Sequence, residues 1–251
     1  MHTIRTRWLT LMIALSVVLV VASDSSGKQA PGLAVAAVAR AQAHYGPGLV
    51  SGAIQDWICE GTLTLFGSSG LTATLPVTVL RKGNGQVQRI INQGTNTQRQ
   101  GSDGIAAWDS VGGFRTFAQG RTQLFLEGQT SRSIHALLNY QALGLTLTDL
   151  GSKGQSQSIE ASDARGRKTK YTVDSSTAVI TELEFSTPAI TLPDQQTPAM
   201  TERAVFADYR RVQGILSPFK TIRFLNGIKI EEMQFTSVRY NASVKDSDFK
   251  P

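Results

Sequence analysis

The stretch that decides the fold is WICEGTLTLFGSSGLTATLPVTV, residues 57–79. On both sides of a Gly-Ser turn at residues 67–70, apolar and polar side chains alternate almost one by one. A period of two is typical of a β-strand with one buried face, and two such strands joined by a short turn predict an antiparallel hairpin. Pro76 has no N–H to donate to a neighbouring strand, so we expect an edge or a bend at this residue.

One face of this hairpin carries nearly all of its apolar side chains. They are Trp57, Cys59, Leu63 and Leu65 on the first strand and Leu71, Ala73, Leu75, Val77 and Val79 on the second. Cys59 is the single cysteine of the chain, and its place on this face predicts a small buried core residue rather than a reactive thiol. One cysteine excludes an internal disulfide and zinc sites that need several cysteines.

The same alternation recurs through most of the chain after residue 85. Turn residues separate the runs, and Asn226-Gly227 between two apolar runs is the strongest short hairpin signal. We predict ten or eleven strands in all, with a loop at Pro188–Met200 because that segment holds three prolines. The further strands are expected at Gln86–Asn92, Ile105–Asp109, Leu145–Leu150, Ser156–Ala161, Lys170–Asp174, Val179–Ser186, Glu202–Val212, Phe219–Leu225 and Ile228–Asn241, and Gln98–Gly104 is expected to end in a turn.

Two segments have a helical pattern instead. Leu33–His44 is rich in alanine, the best helix former, and ends before Gly46-Pro47-Gly48. In Arg121–Gly144, apolar residues recur at helical spacing after a cap at Thr130 or Ser131. Strands and helices do not alternate, so a parallel sheet is disfavoured. We predict a mainly β fold of the α+β class over residues 32–251, in which one strongly curved antiparallel sheet has its concave face covered by helices.

The N-terminal segment has the pattern of an export signal. Arg5 and Arg7 precede the apolar run Trp8–Ala22, and small polar residues follow it. As a helix this run would rise only ~22 Å, against a hydrocarbon core of ~30 Å, so a cleaved signal is favoured over a retained membrane anchor. We predict a signal peptide at residues 1–22, a linker at 23–31 and a periplasmic protein.

The charge balance argues against nucleic acid as a partner. Loss of Arg5 and Arg7 lowers the formal charge from +6 to +4, which is a mild basic excess. The densest basic run, residues 165–170, lies between two predicted strands. It predicts a solvated hairpin tip, and contact with anionic lipid headgroups is the alternative.

Motifs that carry chemistry are not found in the sequence. It contains no Gly-x-Ser-x-Gly, no phosphate-binding loop, no dinucleotide fingerprint and no His-Glu-x-x-His. Glu231 and Glu232 are adjacent in a predicted strand and would point to opposite faces. We therefore expect no enzymatic activity, no metal and no cofactor. The enzyme alternative centres on His135, which the pattern places beside the apolar face of the second helix.

Two short segments suggest a family. The segment Asp103–Trp108 has the form D-G-x-x-x-W, and the tail contains Asp208-Tyr209-Arg210, Gly214 and Pro218-Phe219 in that order. Together they resemble LolA- and LppX-type periplasmic carriers of lipoproteins and lipids. The resemblance implies an unclosed β-barrel whose helices plug a hollow that accepts acyl chains, with no catalytic residues. An early-strand arginine of that family could correspond to Arg81 or Arg89.

These observations lead to a functional expectation with an alternative. We expect a periplasmic carrier or sensor that binds lipid or lipoprotein acyl chains and exchanges them with a membrane-bound donor or acceptor protein. The alternative is an envelope protein-interaction module in which the same apolar residues form a filled core against Leu33–Ala43 and Ile134–Ala142. The candidate cavity-lining residues are Leu63, Leu65, Leu75, Val77, Val79, Phe185, Phe206 and Phe219.

Overall fold

A computed structural model describes residues 31–250, except residues 51, 68, 69, 84, 193 and 194. The predicted signal peptide, and the predicted linker up to residue 30, lie outside the described residues. Within the described part of the chain, none of the helices combines the length and the apolar character that crossing a bilayer requires.

The described chain is mostly strand, with short helices near the start and in the middle. The helices are α1 (Pro31–Tyr45), α2 (Pro47–Val50), α3 (Gly120–Glu127) and α4 (Ile134–Leu138). The first strands are β1 (Asp56–Gly67), β2 (Gly70–Lys82), β3 (Gln86–Gln93), β4 (Asn96–Ser102), β5 (Ala107–Val111) and β6 (Phe114–Phe117). The remaining strands are β7 (Thr146–Lys153), β8 (Ser156–Ser162), β9 (Lys168–Asp174), β10 (Ile180–Thr187), β11 (Ile190–Leu192), β12 (Gln195–Thr197), β13 (Met200–Val212), β14 (Ile215–Leu225) and β15 (Ile228–Tyr240).

Thirteen of these strands form one antiparallel sheet, in the order β6-β5-β4-β3-β2-β1-β15-β14-β13-β10-β9-β8-β7. The order consists of two meanders joined where β15 pairs with β1. The two end strands, β6 and β7, do not pair with each other, so the sheet does not close into a barrel. This confirms the predicted mainly β fold with an unclosed barrel.

The sheet is strongly curved. Arg89 on β3 and Glu231 on β15 are three strand spacings apart in the sheet, with β2 and β1 between them, which corresponds to a backbone separation of roughly 14 Å if the sheet were flat. Their side chains nevertheless form an ion pair with an N–O distance of 3.1 Å across the inner face. The connection from β6 to β7 must travel from one end of the sheet to the other, and it carries α3 and α4 on the way.

Proline positions show where strands lose a neighbour. β2 is an interior strand, but its first pair with β3 is Val77–Ile91, so Pro76 has only β1 beside it. A proline is tolerated there because its missing N–H has no partner strand to face.

The predicted loop at Pro188–Met200 is wrong in part, because β11 and β12 pair within it. Pro188 and Pro198 stand outside the paired residues, so neither of them removes a hydrogen-bond donor from this short ladder.

Helix α1 is packed closely against the sheet. Its inner residues Ala34, Ala37, Val38 and Ala41 are at most 1% exposed, and the helix lies over β7 and β14. Small side chains bring a helix axis near its support and leave little unfilled space. This part of the molecule is therefore an ordinary filled core.

The tail motif places a tyrosine beneath the end of α1. Tyr209 donates a short hydrogen bond to the carbonyl of Ile180, and the Tyr45 hydroxyl lies 3.2 Å from that of Tyr209. The flanking residues Asp208 and Arg210 form a 2.7 Å ion pair on the outer side. Asp208 has a positive φ of 53° and no partner in the ladder between β13 and β14, whose register is the same on both sides of it.

The D-G-x-x-x-W segment also has a structural role. The Asp103 carboxylate accepts the backbone N–H groups of Ile105 and Ala106 and forms a tight turn. Trp108 follows, fully buried, and its indole N–H donates to the carbonyl of Phe249 over 2.8 Å. At Gly101 an added Cβ would lie 2.6 Å from the Trp108 ring, so only glycine fits beside it. The motif anchors the C-terminal segment on the outer face of the sheet.

Candidate functional site

A cavity of about 220 Å³ lies between the inner face of the sheet and residues 120–138, which we call the α3–α4 segment. Gln100 on β4 and Phe185 on β10 both line it, although seven strand spacings, roughly 33 Å in a flat sheet, separate their strands. The curvature of the sheet therefore creates the cavity. Apolar lining side chains are Trp57, Cys59, Val79, Phe125, Leu183, Phe185, Phe206, Met233, Phe235 and Val238.

The predicted cavity-lining residues divide into two groups. Val79, Phe185 and Phe206 line the cavity. Leu63, Leu65, Leu75, Val77 and Phe219 belong to the same hydrophobic core but stand outside the lining. A period of two identifies the inner face of a strand but says nothing about position along it, so the pattern could not separate the groups. Contact of any of these residues with lipid stays a prediction.

The floor of the cavity carries a buried network of charges. Glu231 pairs with Arg89 at 3.1 Å and with Arg223 at 2.9 Å, and Arg223 also pairs with Glu202 at 2.8 Å. Burial alone would raise the pKa of Glu231, but the two arginines outweigh it and hold the pKa below its usual range. Two arginines and two glutamates balance each other here.

Two further arginines of the lining lack such a balance. Arg81 donates to the side-chain oxygen of Gln129 at 2.8 Å, and Arg132 stacks over the ring of Phe185 at 4.0 Å. Within the described residues, neither guanidinium forms an ion pair with a carboxylate within 4.0 Å. Burial lowers the pKa of both side chains; in Arg132 nearby Arg167 adds to the effect, and Glu202 and Asp163 oppose it without cancelling it.

His135 also faces the cavity, with its ring 5.3 Å from that of Trp57. Burial, with a contribution from Arg81, lowers the pKa of His135 to about 4, so the imidazole is neutral at neutral pH. The neighbouring Ser133 hydroxyl accepts the Ala136 N–H at 3.0 Å as the cap of α4, and that cap stands two or three residues after the predicted one. This hydroxyl is engaged in holding the helix and is not hydrogen-bonded to the imidazole.

The remaining chemistry of the lining is inert. Burial raises the pKa of Cys59 to about 12, so its thiol carries almost no thiolate at neutral pH. No group of three metal-ligating side chains occurs among the residues that the structure describes. The arrangement is suited to holding an apolar group next to fixed charges.

Sequence reasoning missed the charged residues of the cavity as a group. Arg89 alternates with Val87 and Ile91, and Glu231 alternates with Met233 and Phe235. Each therefore stands at a position that period two assigns to the interior. A charged residue in phase with apolar neighbours two residues away is the signal that could have identified them. Both candidates for the early-strand arginine, Arg81 and Arg89, line the cavity.

No protein-family model matches the chain, and no curated protein matches it in sequence. Solved structures do match its fold. A domain from Vibrio parahaemolyticus described as an outer-membrane lipoprotein-sorting protein is 13% identical, with a TM-score of 0.57 over 86% of this chain and 97% of that one. A LolA superfamily protein from Nitrosomonas europaea is 13% identical, with a TM-score of 0.55 over 87% and 97%.

A third similar structure is a DUF1329 family protein from Desulfovibrio piger, which is 10% identical with a TM-score of 0.56 over 86% and 97%. At these identities the likenesses establish the fold, and the chain has a LolA-like fold. Many functions can share one fold, so the function has to be argued from the cavity itself.

Proposed function

We propose that the protein is a periplasmic carrier or sensor that binds acyl chains of lipids or lipoproteins in this cavity and carries out no chemistry on them. The observation that supports it most is the cavity of about 220 Å³ with largely apolar walls under the α3–α4 segment. Export by a signal peptide at residues 1–22 is part of the proposal. So is exchange of the acyl chains with a membrane-bound donor or acceptor protein.

The energetics favour apolar chains as the cargo. Each methylene group removed from water gains ~0.8 kcal/mol, so a chain needs no chemical bond to be retained. An engineered apolar cavity of ~150 Å³ stays dry and binds benzene. The cavity in this chain is larger, at about 220 Å³, and accepts part of an acyl chain. A full chain requires the α3–α4 segment to move away from the sheet.

The proposal is tested by filling the cavity. Val79 lines it and Val111 is 58% exposed on β5, so Val79→Phe and Val111→Phe make the same change inside and outside the proposed site. Delipidated protein titrated with a fluorescent fatty acid is expected to bind it, with at least tenfold weaker binding in Val79→Phe and unchanged binding in Val111→Phe. Native mass spectrometry of protein purified from the periplasm should show co-purified lipid.

Cys59 provides an independent measure of where the ligand lies. It is the single cysteine of the chain and lines the cavity, so a thiol reagent reports on this position alone. Saturating fatty acid is expected to slow its labelling several-fold. Absence of uptake by the wild-type protein, or equal weakening by both phenylalanine variants, would contradict the proposal.

A second candidate function is binding of an envelope protein. Three large apolar side chains are exposed on the β5–β6 end of the sheet, namely Val111, Phe114 and Phe117. Phe114 is 84% exposed, and exposed apolar side chains grouped in this way are typical of a surface that binds another protein. A stoichiometric protein partner captured from envelope extract, without bound lipid and lost in Phe114→Ser, would favour this function over the first.

A further inference from the structure

A second cavity adjoins the first. It measures about 580 Å³, and its walls include Arg167, Lys168 and Lys170 from the basic run that the sequence singled out. Arg132 and Phe185 line both cavities, and the guanidinium of Arg132 lies 4.0 Å from the centre of the Phe185 ring. We call this stacked pair the partition, because it lines both the inner apolar cavity and the outer cavity that holds the basic residues.

The outer cavity holds charges of both signs, and three of its six charged lining residues are in ion pairs. Arg167 pairs with Asp163 at 2.6 Å, and Lys168 pairs with Glu160 at 2.8 Å. Lys170 stands directly opposite Glu184 and Glu160 on its two neighbouring strands. Lys170 is exposed, so Arg132 is the buried cation of these walls that forms no ion pair with a carboxylate among the described residues.

Arg132 is buried without a direct ion pair to a described residue, and the carboxylates of Glu202 and Asp163 act on it only from beyond 4.0 Å. The residue is 6% exposed, its Nε atom is buried without a hydrogen-bond partner, and one Nη donates to the carbonyl of Leu124 over 3.5 Å. Among the described residues it forms no ion pair with a carboxylate. A buried guanidinium in this state is costly unless an anion joins it, and its planar fork suits a carboxylate or a phosphate.

We propose that the ligand is an amphiphile with an anionic headgroup, held at Arg132 on the side of the outer cavity, while its chain lies in the inner cavity. The inference rests on the proposed function and specifies the class of cargo. The phenyl ring of Phe185 contacts the guanidinium on one face and lines the apolar cavity, so it stands where the headgroup and the chain of the ligand meet.

The test uses four ligands with the same ten-carbon chain, at concentrations below those that form micelles. Decanoate and decyl phosphate are expected to bind at least tenfold more tightly than decanol in calorimetry, and decyltrimethylammonium is expected to bind more weakly than decanol. Inorganic phosphate alone should not compete at the same concentrations. Phosphate that binds as tightly as decyl phosphate would identify a free-anion site and overturn the inference.

Variants locate the headgroup. Arg132→Gln is expected to reduce the preference for decanoate over decanol to about twofold. Arg99→Gln makes the same change at an exposed position on β4 and should preserve the preference. Loss of the preference in Arg81→Gln but not in Arg132→Gln would place the anion on the opposite wall and overturn the assignment.

A separate readout protects the test against misfolding. Arg132→Gln removes a buried charge that has no ion pair, so the melting temperature of the unliganded protein is expected to stay unchanged or to rise. If Arg132 had only a structural role, its removal would lower the melting temperature. Lys170→Gln, at an exposed side chain of the outer cavity, should weaken decyl phosphate two- to threefold. Equal binding of all four ligands overturns this inference alone, and binding of none overturns the proposed function as well.

Discussion

Two helical segments cover the inner face of the sheet, and they leave different amounts of space beneath them. Under α1 the sheet is capped by Ala34, Ala37, Val38 and Ala41, which are at most 1% exposed. Under the α3–α4 segment the cover presents Phe125, Gln129, Arg132 and His135, and a cavity of about 220 Å³ remains. Small apolar side chains allow close approach, whereas long polar ones need partners at fixed distances and hold the backbone away. The composition of the cover therefore decides which part of the inner face is core and which is cavity.

The largest expected effect tests whether charge holds the region beneath α3–α4. Glu231→Gln leaves Arg89 and Arg223 without their shared carboxylate, and we expect a loss of about 3–5 kcal/mol in the free energy of unfolding, measured with urea. Glu232 is the next residue, faces outward and pairs with Lys220 and Lys229. Glu232→Gln should cost about 1 kcal/mol or less. Equal losses in the two variants would show that the buried carboxylate under the α3–α4 segment stabilises the fold no more than an outward-facing one.

A pH titration sharpens the comparison further. The pKa of His135 is 6.5 in its ordinary state and about 4 in the fold, so below pH 6.5 the unfolded chain binds a proton that the folded protein does not. Stability is therefore lost as the pH falls from 6.5 to 4, by at most about 3 kcal/mol. His135→Asn does not titrate, so its unfolding free energy should decline less over this window. Parallel curves for the two proteins would show that the imidazole is not held neutral by its surroundings.

The smallest expected effect compares the packed region under α1 with the wall of the cavity by the same substitution. Ala41→Leu adds volume where α1 is fully packed, so it should cost about 1–3 kcal/mol in the free energy of unfolding. Alanine and leucine differ little in helix propensity, so this loss reports on packing. Ala204→Leu adds the same volume at the wall of the cavity and should be close to neutral. Thermal unfolding measures both. A loss of similar size at Ala204 would mean that the cavity has no room for added side chains.

Much of the fold follows from local signals. The β1–β2 hairpin comes from alternation around a Gly-Ser turn, and the Asn226-Gly227 turn connects β14 and β15 as expected. The pairing of β15 with β1 could not be read in this way, because alternation says which face of a strand is buried and not which strand lies beside it. For the same reason the pattern placed Leu63 and Val79 in one set, although only Val79 reaches the cavity.

The site was less predictable than the fold for a physical reason. A cavity is what remains after side chains from distant segments have packed, so its volume depends on contacts that no single segment contains. The partition formed by Arg132 and Phe185 joins residues more than fifty positions apart. The sequence could place Phe185 on an inner face, but it could not supply the arginine that meets it there.

The two edge strands of the sheet, β6 and β7, do not pair with each other, and this has a mechanical consequence. A closed barrel can widen only by breaking the ladder between two of its strands. A sheet with a free seam can instead flex its twist and move its two margins apart while each strand keeps its partners. Entry of a bulky ligand then requires only that the sheet bends. The hydrogen-bonded ladders stay intact and return the sheet to its original shape after the ligand leaves.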